Sequence, residues 1–132
     1  MNSPEMARIR GEIDRWLNTS DDDAVRLNKL AEDADLASKV MVFINIITEL
    51  GIAYEAGLVN KNLTHEIWYP MIPRYWERLQ FYVYDTRRSG YPVGHYLEMM
   101  AQKIDDYAKK KDLSSRYKAP CPIRSDSSEE VS

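Results

Sequence analysis

The chain holds little from which a covalent or metal-held fold could be built. One cysteine, Cys121, and two histidines stand among 132 residues. That excludes an internal disulfide and leaves no Cys/His cluster at metal-ligand spacing. His65-Glu66 offers the first half of an HExxH zinc motif, but position 69 is Tyr, so the second histidine is missing. The run Asp21–Asp23 lacks the alternating spacing of a calcium loop. It reads as a solvated helix start. There is no G-x-S-x-G elbow and no Gly-rich phosphate loop. The chain is therefore expected to be a non-enzyme without metal or cofactor.

Two further absences bound the class. No alternation of period two persists, so no sheet is expected, and no internal repeat occurs. No apolar run reaches the ~20 residues of a membrane span, and the first twenty residues mix both charge signs with no apolar core. These features predict a cytoplasmic protein with neither a span nor a secretory signal, which the lone cysteine also fits.

What is present is aromatic and moderately charged. Nine Tyr and three Trp are concentrated in the second half, and the formal net charge is −3. Residues 1–60 are acidic and residues 61–118 basic. The basic excess is too thin for the dense face of a nucleic-acid binder, so a nucleic-acid partner is disfavoured.

The stretch Leu36 to Gly57 organises the rest. Leu36, Val40, Phe43, Ile47, Leu50, Tyr54 and Leu58 recur at helical spacing. From Val40 to Ile52 the helix is apolar on almost every side, apart from Gly51 and a stripe of Asn45, Thr48 and Glu49. Such a helix is buried on most of its surface, so other helices must cover it. Ser3-Pro4-Glu5 marks a first helix, with Ser3 as cap, running to about Asn18. Acids after Thr19 start a second, which either stops near Asp33–Asp35 or runs into the central helix. Gly57 suits the left-handed position after a helix, and Asn60 or Asn62 can cap the next. The pattern then predicts a short helix at 61–69, a kink or break at Pro70, and a longer one at 71–88, with Pro73 a further interruption. Ser89–Gly94 breaks the chain before a last helix from His95 to Lys111. The fold class is an all-α bundle of four to six helices around a central helix at about 36–57. It forms one domain over 1–111, and 112–132 is predicted to be a disordered tail.

Phe43-Ile44-Asn45, Glu49-Leu50-Gly51, Gly57-Leu58-Val59-Asn60, Trp68-Tyr69-Pro70, Arg74-Tyr75-Trp76 and Arg87-Arg88 follow one another in order. This succession resembles a widespread family of small bacterial all-helical domains of unknown function, some of which carry an added membrane helix. The Gly-Leu turn followed by the Tyr-Trp helix is its most specific part. Asn60 stands where the family often has Asp. The resemblance implies an all-α fold and a bacterial, archaeal or phage origin, and it implies no activity.

Trp68-Tyr-Pro-Met-Ile-Pro-Arg-Tyr-Trp-Glu-Arg is the most unusual segment. Arg74 and Arg78 share a helix face, Arg87 and Arg88 lie further on, and Trp68, Tyr75 and Tyr82 offer stacking surfaces. Guanidinium groups beside aromatic rings can hold a phosphate and a base. The same residues equally suit a packed core, with tyrosine hydroxyls at its rim and Arg74 paired to Glu77 or an N-terminal acid. Asn45 and Glu49 either line a pocket, face solvent, or dock an arginine of the 71–88 helix.

Three functions follow. The first is a non-catalytic protein-interaction module that self-associates or binds a protein partner, through aromatics of residues 68–84 left exposed. The second is a sensor of a nucleotide or phosphorylated metabolite, in which Arg74, Arg78, Arg87 and Arg88 converge beside Tyr75 or Trp68. The third is a phage- or plasmid-encoded regulator that binds a host protein.

Overall fold

A computed structural model describes residues 4–111. The predicted tail at 112–132 and the predicted cap Ser3 lie outside the described residues. The described chain forms six helices and no strand: α1 (Pro4–Leu17), α2 (Asp23–Ala31), α3 (Ala34–Glu55), α4 (Lys61–Trp68), α5 (Met71–Arg88) and α6 (His95–Lys111).

Local chemistry sets most of the boundaries. Asp22 caps α2 by accepting from the Ala24 N–H at 2.8 Å. Asp33 caps α3 by accepting from the Leu36 N–H at 3.0 Å. Two separate caps make two separate helices, which settles where the second helix ends. At the end of α3 the Leu58 N–H donates to the Ala53 carbonyl at 2.9 Å and the Gly57 N–H to Tyr54 at 3.2 Å. Gly57 has φ of 76°. This is the paired bonding that closes a helix through a left-handed glycine. Asn60 then caps α4, its side-chain oxygen accepting from the Leu63 N–H at 2.9 Å. The break expected at Pro70 is present, with a cis Tyr69–Pro70 bond. Pro73 does not interrupt α5. It sits in the first turn, where backbone N–H groups have no helical acceptor.

Packing has two hubs. α3 lies against α1, α2 and α6, and α6 lies against α3, α4 and α5. The core joins Ile9, Ile13 and Trp16 of α1 to Val40, Phe43 and Ile47 of α3, Ile72 and Leu79 of α5, and Leu97, Met100 and Ile104 of α6. The covering of α3 is one-sided. Val40, Phe43, Ile44, Ile47, Gly51 and Tyr54 are buried, while Val42, Asn45, Glu49 and Ile52 are exposed on the opposite stripe. Among the described residues α3 alone is long and apolar enough to cross a membrane, a test that a core helix also passes.

The α3–α6 contact depends on a missing side chain. A Cβ at Gly51 would lie 2.6 Å from the Tyr96 ring. A similar approach occurs at Gly94, with φ of 79°, where a Cβ would lie 2.9 Å from Val83. Gly51→Ala is expected to destabilise the fold by about 1–2 kcal/mol net, because overpacking outweighs the ~1 kcal/mol gained in helix propensity. Gly11 is exposed and nothing lies within 4 Å of its notional Cβ. Gly11→Ala should therefore shift stability the other way, by up to ~1 kcal/mol. Denaturant titration of the two variants would check both signs; equal shifts would refute the close-approach argument.

Candidate binding surface

The aromatic-basic segment is mostly interior. Trp68 and Tyr75 are buried, Tyr69, Trp76, Phe81 and Tyr82 half-buried, and Tyr84 is exposed. Tyr75 stacks obliquely on Phe43, with ring centroids 4.9 Å apart. Its hydroxyl donates to Asp14 Oδ1 at 2.8 Å. Arg78 donates to the same oxygen at 2.9 Å and to Asn18 at 2.9 Å. Burial, and then the Asp14 carboxylate, push the Tyr75 phenol well above its usual range. Tyr75 and Arg78 therefore tie α5 to α1 and are not presented to a ligand. The hydroxyl of Tyr82 is spent on Met41 Sδ at 3.2 Å.

The four arginines do not converge. Arg78 turns toward α1. Arg87 pairs with Glu98 at 3.0 Å and donates to the Val93 carbonyl at 3.0 Å. Arg88 pairs with Asp85 at 3.1 Å on the surface, and Arg74 is exposed. The cause is helical geometry: 78 and 87 are nine residues apart, which at ~100° each places them on opposite faces of α5. Glu49 meets neither Arg74 nor Arg78 and makes no ion pair among the described residues.

The structure does bring together Asn45 and Arg87. They line a cleft of about 810 Å³ between α3 and the segment joining α5 to α6, with Met41, Ile44, Thr48, Tyr91, Pro92, Tyr96 and Glu98. The cleft is amphipathic and wide. Within it Arg87 is neutralised by Glu98, and the Thr48 hydroxyl donates to the Ile44 carbonyl at 2.9 Å. The arrangement suits contact and burial more than proton or group transfer.

The exposed apolar surface lies elsewhere than the sequence suggested. Ile52, Leu58, Leu63, Ile67 and Tyr91 are each more than half exposed, and Val42 is 41% exposed. Leu63 and Ile67 share the outward face of α4, whose inner face buries Thr64, His65 and Trp68. Val42 and Ile52 share the outward stripe of α3. A signal for the second case existed: Asn45 and Glu49 mark the solvent side, and residues three to four positions away lie on it too.

His65 is a buried polar group of a different kind. Its Nε2 bonds the Tyr54 hydroxyl at 2.7 Å, its ring stacks on Tyr107, and Nδ1 has no hydrogen-bond partner among the described residues. Burial, with Lys103 and Lys61 nearby, lowers its pKa below 6.5. In the unfolded chain it takes up a proton near pH 6.5 and in the fold only at lower pH. Stability is therefore complete above about 6.5 and declines as pH falls below it. Thermal melts from pH 7.5 to 5 should show this decline, and His65→Phe should flatten it.

No protein-family model, curated protein or solved structure matches this chain.

Proposed function

We propose that this chain is a non-catalytic protein-interaction module that works by assembly, with itself or with a protein partner. One observation carries the reading: aliphatic side chains on the outward faces of α3 and α4 stay in solvent, while Trp68 and Tyr75 go inside. Val42, Ile52, Leu63 and Ile67 stand at helical spacing on those faces. Grouped exposed apolar residues with a polar surround are what interfaces use.

A second reading has its own support. The cleft beside Asn45, Tyr91 and Arg87 has a volume within the range of small-molecule sites, about 300–1,000 Å³. A sensor would place its ligand there and not among four arginines. Native mass spectrometry of gently purified protein separates the two. Assembly predicts masses that exceed the 15.4 kDa chain by whole protein subunits. A monomer carrying a few hundred daltons, lost on Arg87→Ala, would replace the assembly reading with the sensor.

A further inference from the structure

The outward stripe of α3 carries aliphatic side chains that the described helices leave uncovered: Val42 is 41% and Ile52 51% exposed. Ser38, Val42, Asn45, Glu49, Ile52 and Ala56 follow at intervals of four, three, four, three and four residues. All six are exposed. Residues so spaced share one face of the helix, here over ~27 Å, as the seam of a helix pair requires. On a helix already packed by α1, α2 and α6, such a seam has no partner among the described residues.

Its chemistry reads the same from either end. We propose that α3 pairs antiparallel with α3 of a second copy of this chain about a two-fold axis at residue 47. The proposal rests on the assembly reading above and gives it a partner and a surface. With that axis Asn45 faces Glu49 of the second copy, and Glu49 faces its Asn45. Val42 (41% exposed) faces Ile52 (51% exposed), again twice. Ser38 faces Ala56 at both ends. Each amide meets a carboxylate, each aliphatic meets an aliphatic, and the smallest residues close the outer layers. Half-buried Ile46, on the flank of the stripe, meets its own copy near the axis. A two-fold interface requires this self-complementarity.

The alternatives do worse. A parallel pair would set Glu49 against Glu49, two like charges at the centre of the seam. A lipid surface would leave Asn45 and Glu49 unpaired in the middle of the apolar stripe. In the antiparallel pair these two residues are what fixes register. A seam this short implies a weak, concentration-dependent dimer, at the small end of specific interfaces.

The test uses the full-length chain in sedimentation velocity over a range of concentrations. Asn45→Lys would set a cation against Glu49 of the second copy and should tighten the dimer several-fold. Ile52→Glu should weaken it at least tenfold, with an unchanged circular dichroism spectrum. Orientation is read by a short bismaleimide in a Cys121→Ser background. Ser38→Cys and Ala56→Cys chains should cross-link when mixed and not separately, since each residue lies about 27 Å from its own copy along an antiparallel seam. Cross-linking of Ser38→Cys alone would overturn the antiparallel pairing. A dimer indifferent to Ile52→Glu would overturn the α3 seam while leaving assembly through another face intact. A chain monomeric at every concentration and without a protein partner would remove both.

Discussion

Everything in this bundle depends on how closely α3 and α6 approach at Gly51. α6 is the surface on which α4 and α5 also pack, and α3 is the one that gathers α1 and α2. A residue with any side chain at position 51 would meet the Tyr96 ring below 3 Å. Either the ring would have to leave, or the two hubs would separate. Tyr96 is held from its other end by a bond from its hydroxyl to Glu55, one turn along α3. The glycine therefore defines both a distance and a rotation. Once α6 covers that side of α3, the stripe through Val42, Asn45, Glu49 and Ile52 must face away.

A second constraint holds the first helix to the fifth. Asp14 accepts from both the Tyr75 hydroxyl and Arg78, more than sixty residues along the chain. The Arg78 pair is partly exposed, and a lone exposed pair is worth little. Tyr75 differs because its hydroxyl is carried inside by a ring packed on Phe43. A buried phenol without an acceptor would cost more than the ion pair gains. The carboxylate is thus better understood as the partner that lets Tyr75 enter the core. This removes two of the residues best suited, by composition, to grip a ligand.

Much of the exposed apolar surface is aliphatic and shallow, beside the cleft that Asn45 and Arg87 line. Such surfaces recognise shape and apolar area, and polar groups among them set register more than affinity. Asn45 and Glu49 have that character: central on the stripe, exposed and without a side-chain partner among the described residues. The α3 stripe meets the cleft wall of Tyr91 and Pro92 at Asn45, and the outward face of α4 carries Leu63 and Ile67.

The helix starts and stops were legible in the residues because capping is local. Gly57 acts through its own backbone geometry and Asn60 through a side-chain bond to an N–H three residues on, whatever surrounds them. The apolar period of α3 was legible, since it is a property of the helix alone, but the expectation of burial on most of its surface was wrong: Leu58 of that stripe is 77% exposed, and Val42 and Ile52 stay open. Pro73 misled, because the same ring breaks an interior turn and is harmless in a first one. The aromatic-basic segment was ambiguous for a deeper reason: Tyr, Trp and Arg each carry an apolar body and a polar tip, so one sequence serves a core rim or a binding patch. By itself the sequence determined an all-helical chain, most of its helix boundaries though not the junction of α2 and α3, and one mainly apolar helix. Only the tertiary structure decided which side of that helix stayed open and where each arginine pointed. Those outcomes depend on contacts between residues such as Gly51 and Tyr96 or Asp14 and Arg78, whose separation along the chain leaves no periodic trace.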